Sequence, residues 1–235
     1  MALGPFYVAE KLTKNPGLRG TALFMRHGET AWNRAGRVMG RNPIELDDEG
    51  RLQVRGAVEF ARIIEPEIIV TSPLARARQS AEIIASGIGL ERIAEDPDLA
   101  EVLYGRWEGM VYDELITDPE YLRYRERPID TATPGGETIA QVQARGVAAV
   151  TRAIAANPGT RILFVSHGDI IRSVLAHYLG VELANFRRIR VDNATFSGVQ
   201  IAGDFAEVKF LNLLYDPARA FVMPFTSDKI KLEHH

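Results

Sequence analysis

Cysteine is absent from the 235 residues. Disulfides, cysteine zinc sites, iron–sulfur clusters and a thiolate nucleophile are therefore excluded. No apolar run approaches the ~20 residues a membrane helix needs. The first twenty residues also lack the long apolar core of a signal peptide. A soluble, cytoplasmic protein is the expectation. Net charge is only −3, so no broad electrostatic case exists for nucleic acid or an acidic membrane as partner. The 20 glycines and 12 prolines are ordinary and exclude a collagen-like or low-complexity chain.

What is present suits one large domain. A chain of this length can bury roughly 70% of its unfolded surface. Lys231-Leu232-Glu233-His234-His235 reads as an expression-tag remnant, so its two histidines are set aside. His27, His167 and His177 remain. Two of them end an echo in the chain: Leu23-Phe24-Met25-Arg26-His27-Gly28 and Leu163-Phe164-Val165-Ser166-His167-Gly168. Each is an apolar run that reads as a buried strand. A third run, Ile68-Ile69-Val70, ends at Thr71-Ser72-Pro73.

Amphipathic helices follow these strands. The patterns predict helices over 52–64, capped by Asp47 or Asp48, and over 74–85, stopped by Gly87. Ser72 is the expected N-cap of the latter, with Pro73 at the first helical position. Thr138 and Gln141 form a capping-box pattern before a helix reaching about Ala156. A fourth helix spans 168–179 and stops at Gly180. Residues 196–214 read as strand–turn–strand about Gly203-Asp204. The alternation predicts an α/β fold: a three-layer sandwich with a largely parallel central sheet flanked by helices. Residues 104–135, rich in aromatics and arginine and carrying Pro119, Pro128 and Pro134, read as an excursion from the sheet.

Ligands of open α/β sheets bind beyond the carboxyl ends of the strands. His27, Ser72 and His167 all stand at such ends. Arg76 falls in the first turn of a helix, where the dipole favours an anion. That mismatch suggests that Arg76 answers to a ligand. With Arg26, and with the amino end of the helix opening at Gly168, these residues describe a phosphate site.

Arg26-His27-Gly28-Glu29-Thr30, followed by Trp32-Asn33, resembles the signature of the histidine phosphatase superfamily, also called phosphoglycerate mutase-like. The resemblance continues through Ser72-Pro73-Leu74-Ala75-Arg76-Ala77, Leu99-Ala100-Glu101, Gly105-Arg106-Trp107-Glu108-Gly109, Pro134-Gly135-Gly136-Glu137 and Ser166-His167-Gly168, in the family's order. It implies His27 as nucleophile and Arg26, Arg76 and His167 as holders of the phosphoryl oxygens. It implies Glu101 as the acid and base at the leaving oxygen. Asn33, Thr30, Gly168 and Tyr104 are candidate phosphate or substrate contacts. No metal and no cofactor are implied.

The expected reaction is hydrolysis of a small phosphomonoester through phosphohistidine. Two alternatives stand beside it: a bisphosphoglycerate-dependent phosphoglycerate mutase, and a non-catalytic phospho-ligand binding protein. The mutases of the family carry a lysine after their Glu-x-x-Tyr-Gly segment. Here no lysine occurs between Lys14 and Lys209, and the Trp107-Glu108-Gly109 form resembles the phosphatase branch.

His177 reads as a polar residue on a helix face, Trp32 and Trp107 as packing residues, and Glu108 as a structural partner. Arg123, Arg125 and Arg127 read as a solvated face, with a minority role on a second anionic group of the substrate. Tyr104, Tyr112, Tyr121 and Tyr124 are expected to line the mouth. Met39 departs from the polar residue usual at its position. Asp169 either buttresses the helix start or points into the cleft. A homodimer is compatible with all of this.

Overall fold

The computed structural model describes residues 17–214. The amino-terminal segment before Gly17 and the residues around His234 and His235 lie outside that range. Six strands form one sheet: β1 (Arg19–Arg26), β2 (Ile68–Thr71), β3 (Ile93–Glu95), β4 (Arg161–Ser166), β5 (Phe196–Ala202) and β6 (Phe205–Leu213). Their order is β3-β2-β4-β1-β5-β6. The first four are parallel, and the β5–β6 hairpin closes one edge antiparallel. The turn between β5 and β6 falls at Gly203-Asp204, as the sequence predicts.

Strand alternation divides the core in two. Ala22, Phe24, Ile162 and Phe164 point to one face; Leu23, Met25, Leu163 and Val165 point to the other. Helices α2 (Asp48–Ile64) and α3 (Ala75–Ile88) cover the second face. Helices α6 (Ile139–Ala156) and α7 (Gly168–Leu179) cover the first. Phe24 and Phe164 stack across neighbouring strands with ring centroids 5.6 Å apart. Each buried ring contributes roughly 1.5–3 kcal/mol. The result is the expected α/β sandwich of three layers.

The short helices α1 (Ala31–Arg34), α4 (Tyr112–Leu115) and α5 (Pro119–Glu126) come from the connecting segments. Residues 104–135 add no strand, yet Trp107, Leu115 and Tyr124 are fully buried in the α6–α7 side of the core. Tyr121 and Tyr124 pack on Trp107 with centroids 5.4 and 5.5 Å away, so they are packing residues rather than an open mouth.

The helix ends reveal two corrections. The N-cap of α3 is Leu74, not Ser72, and the helix starts at Ala75. Ser72 does accept the Leu74 N–H at 3.2 Å, but its hydroxyl is also committed to His167. Gly87 does not stop α3. The helix runs to Ile88 and ends at Gly89, whose φ of 74° is the left-handed cap that glycine adopts freely. Gly87 is needed for packing, since a Cβ there would meet Val58 Cγ1 at 2.6 Å.

Register brings the chemistry together. β1 and β4 run parallel with Arg26 beside Ser166, so His27 and His167 leave the sheet side by side. Thr71 pairs with Val165, which brings Ser72 to the same edge. The loop after β1 is held against the first turn of α2. A Cβ on Gly50 would stand 2.0 Å from the Glu29 carbonyl oxygen and 2.7 Å from its nitrogen. Both obstacles are backbone. Gly50→Ala should therefore cost about 1–3 kcal/mol and displace the loop following His27. A urea midpoint unchanged from wild type would contradict this contact.

Candidate active site

His27 is 1% exposed and His167 is fully buried, and their ring centroids are 5.1 Å apart. They form a floor whose rim is half-exposed: Arg26, Asn33, Glu101 and Tyr104. A separate surface depression between α2 and α3, lined by Arg55, Glu59 and Glu82, holds no histidine.

Backbone settles the tautomer of His27. Its Nδ1 lies 2.7 Å from the carbonyl oxygen of Gly28. A carbonyl only accepts, so Nδ1 carries the hydrogen and Nε2 keeps its lone pair. Arg76 Nε donates to that Nε2 at 3.3 Å. Burial first, then the charges of Arg76 and Arg26, push His27 well below the ordinary histidine range. The ring is thereby driven toward its neutral form, with the lone pair on Nε2.

Arg76 is aimed by the chain around it. Its Nη1 donates to Asn42 O at 3.0 Å and its Nη2 to Gly40 O at 2.7 Å. Burial lowers its pKa to about 10, which leaves it cationic. Glu108 holds those carbonyls in place, accepting from the Arg41 N–H, Asn42 Nδ2 and the Tyr104 N–H at 3.2, 2.8 and 3.1 Å. The structural role expected of Glu108 is what it has.

Arg26 donates to Val191 O at 2.9 Å through Nη1, while its Nε is buried with no partner among the described residues. His167 Nδ1 is likewise buried without a partner. Two orphaned ring or guanidinium nitrogens beside one nucleophilic imidazole suit an oxyanion. Ser72 decides the state of His167. Its Oγ lies 2.7 Å from His167 Nε2 and already accepts the Leu74 N–H. With the hydroxyl hydrogen given to Nε2, the imidazole proton stands on Nδ1, the orphaned atom. The opposite tautomer would leave the Ser72 hydrogen and the Nδ1 lone pair both unsatisfied. Ser72 is thus a site residue that the sequence reading took for a helix cap.

Glu101 stands at the rim. Its oxygens accept the Val102 N–H at 3.0 Å and the Asp169 N–H at 3.4 Å. Burial, then the carboxylate of Asp169, raises its pKa above the usual range. Arg145 clamps the segment carrying it, donating to Asp98 O, Ala100 O and Glu101 O at 2.6, 2.5 and 3.2 Å. Glu137 takes Arg145 Nε at 2.8 Å and the Leu103 N–H at 3.0 Å. The Pro134-Gly135-Gly136-Glu137 block therefore positions the Glu101 segment. Gly136 is required there, because a Cβ would fall 1.8 Å from Leu103 O.

The remaining candidates divide. Asn33 Oδ1 accepts the Thr30 N–H at 3.1 Å, leaving its Nδ2 as the donor end. Thr30 is fully buried and spent on the cap of α1: its Oγ1 accepts the Asn33 N–H and donates toward Asn33 Oδ1 or Met39 Sδ. It is a support for Asn33 rather than a ligand contact. Met39 brings a weak sulfur acceptor where an amide donor would be expected. Gly168 starts α7, and the next N–H along, that of Asp169, is taken by Glu101. The Tyr104 hydroxyl donates to Asp169 Oδ2 at 2.5 Å, and Arg172 Nη1 to Asp169 Oδ1 at 2.8 Å. Asp169 thus buttresses the helix start and faces the rim at once. Among the described residues, no group of three or more acidic, histidine or cysteine side chains is arranged to hold a metal ion.

The Ser72 hydroxyl carries a measurable consequence. Nitrogen-15 NMR of the neutral His167 ring should report the Nδ1–H form in wild type and a shift toward Nε2–H in Ser72→Ala. Ser72→Thr should restore the wild-type signal. The same tautomer in all three proteins would remove Ser72 from this role.

Comparison with known proteins identifies the family. The profile of the histidine phosphatase superfamily (branch 1) matches residues 22–214. A probable phosphoglycerate mutase, GpmB, of Cronobacter sakazakii is 33% identical over 177 residues, covering 74% of this chain and 82% of its own. An uncharacterised phosphatase, PhoE, of Bacillus subtilis is 32% identical over 189 residues, covering 80% and 92%. Among solved structures, a mycobacterial glucosyl-3-phosphoglycerate phosphatase in complex with VO3 superimposes with a TM-score of 0.73 at 27% identity, covering 82% of this chain and 98% of that one. With its histidines, arginines and sheet order in place, the chain belongs to the histidine phosphatase superfamily, branch 1.

Proposed function

We propose that the protein is a phosphomonoester hydrolase acting through a phosphohistidine on a small phosphorylated metabolite. One observation carries this: the Nε2 lone pair of His27, held free of a proton by Gly28, lies among Arg76, Arg26 and His167. In the first step Nε2 attacks phosphorus in line, and the bond to the leaving oxygen breaks. Arg26, Arg76 and the His167 Nδ1–H hold the equatorial oxygens, where charge builds. Glu101, its pKa raised by burial and by Asp169, gives its proton to the leaving alcohol. In the second step Glu101 takes a proton from water, that water attacks phosphorus, and the P–Nε2 bond breaks, returning the lone pair to His27 and releasing phosphate. Nothing in the scheme requires a metal.

The mutase alternative has the GpmB similarity in its favour. Against it stands the lysine-free stretch from Lys14 to Lys209. Phosphate release from p-nitrophenyl phosphate, compared with isomerisation of 3-phosphoglycerate, separates the two. Isomerisation with negligible hydrolysis would reverse the order.

His27→Ala should abolish the phosphoenzyme. Glu101→Gln should slow hydrolysis of alkyl phosphates by about 10² to 10⁴, and aryl phosphates less, because their leaving group needs little protonation. Wild-type activity should fall as pH rises through the elevated Glu101 pKa and should lose that alkaline limb in the variant. The acid limb should lie below the ordinary histidine range of about 6.5, since His27 must stay neutral. An equal loss on alkyl and aryl esters would take Glu101 out of the acid role. Separately, EDTA should leave the rate unchanged; inhibition reversed by added metal would overturn the metal-free scheme.

A further inference from the structure

Around Asp169, whose N–H Glu101 accepts, the side chains form a second constellation that the phosphoryl site does not use. Residues 187–191 run back along the site after α7: Ile189 O accepts from Arg172 Nε at 3.1 Å, and Val191 O accepts from Arg26. Arg187 opens this run. Its guanidinium lies 4.7 Å from the Phe186 ring centroid and 5.2 Å from that of Tyr124. It is half-buried, and among the described residues it has neither an ion pair nor a hydrogen-bond acceptor. The buried Tyr124 hydroxyl beneath it is also without a partner.

Among the described residues, Asp169 is the carboxylate that acts most on Arg187. Both oxygens of Asp169 are already taken, by Tyr104 and Arg172. Among the described residues, Arg187 therefore keeps its planar fork of donors uncommitted on an aromatic shelf. A cation in that setting is suited to a planar anion.

We propose that Arg187, on its Phe186–Tyr124 shelf, forms a subsite for a carboxylate carried by the leaving alcohol of the substrate. This rests on the hydrolase assignment, because Glu101 marks the leaving-group side only if it protonates that alcohol. Charge favours a carboxylate over a second phosphate. Arg172 and Arg187 against Asp169 leave one net positive charge, which a monoanion balances and a dianion exceeds. The subsite relocates the second-anion role considered for Arg123, Arg125 or Arg127. Arg123 is exposed, Arg125 lies over Tyr121, and Arg127 is paired with Asp130 at 3.0 Å.

The test uses two esters of matched size, 3-phosphoglycerate and glycerol 3-phosphate, which differ in a carboxylate against a hydroxymethyl group. Wild type should favour the glycerate in kcat/KM. Arg187→Gln should reduce that preference by about 10- to 100-fold, the range for one charged hydrogen-bonded contact. Arg187→Lys, which keeps the charge but loses the fork, should fall between. Calorimetric binding of the two esters to His27→Ala, and to His27→Ala with Arg187→Gln, should show the same change in ratio without turnover. A preference unaltered by Arg187→Gln, or absent from wild type, overturns the subsite. A wild type that hydrolyses no phosphomonoester overturns the hydrolase assignment instead, and the binding ratio then judges the subsite alone.

Discussion

A hydrogen bond of 2.7 Å from His27 Nδ1 to the carbonyl of the next residue governs the chemistry available to this fold. It fixes which nitrogen holds the proton and which way the ring faces. It exists because the chain bends sharply after β1, where Gly28 lies against the first turn of α2. A Cβ on Gly28 would come within 2.5 Å of Gly50 O. Two glycines packed back to back thus determine the direction of a lone pair. The parallel register of β1 and β4 then delivers the second imidazole to it.

Electrostatics follow from that geometry. Two guanidiniums beside two buried imidazoles form a cluster that only neutral rings can tolerate. Burial and the arginine charges both drive His27 and His167 toward the neutral form. The same cluster is costly until an anion enters, and the unpartnered nitrogens of Arg26 and His167 show where the compensation is missing. At the rim the sign reverses. Glu101 and Asp169 are close enough that one carboxyl is pushed toward the protonated form, and Arg172 beside Asp169 decides that it is Glu101.

Much of this was legible in the residues. Apolar runs ending in His-Gly identify strands entering the site, and an arginine at a helix start stands out against the dipole. The capping box at Thr138 and Gln141 and the turn at Gly203 are local chemistry and appear as written. What stayed hidden is pairing across long sequence separations. Ser72 looks like a cap because serine before proline usually is one; its bond to His167 spans 95 positions. Arg145 sits inside an amphipathic helix with nothing to distinguish it from a surface arginine. Thr30 looked like a ligand contact by its neighbourhood, but its hydroxyl serves a four-residue helix. Arg187 carries no motif, and only the returning chain after α7 explains it.

Arg145 belongs to α6, in the layer opposite the one that carries Arg76. Arg76, bonded to His27 Nε2, and Arg145, the clamp on the Glu101 segment, are therefore built into different faces of the sheet. Under the proposed mechanism, a slight sliding of the α2–α3 layer would disturb the grip on His27 while leaving the Glu101 clamp in place, and a sliding of the α6–α7 layer would reach both steps, because Glu101 serves in each and His167 stands at the start of α7.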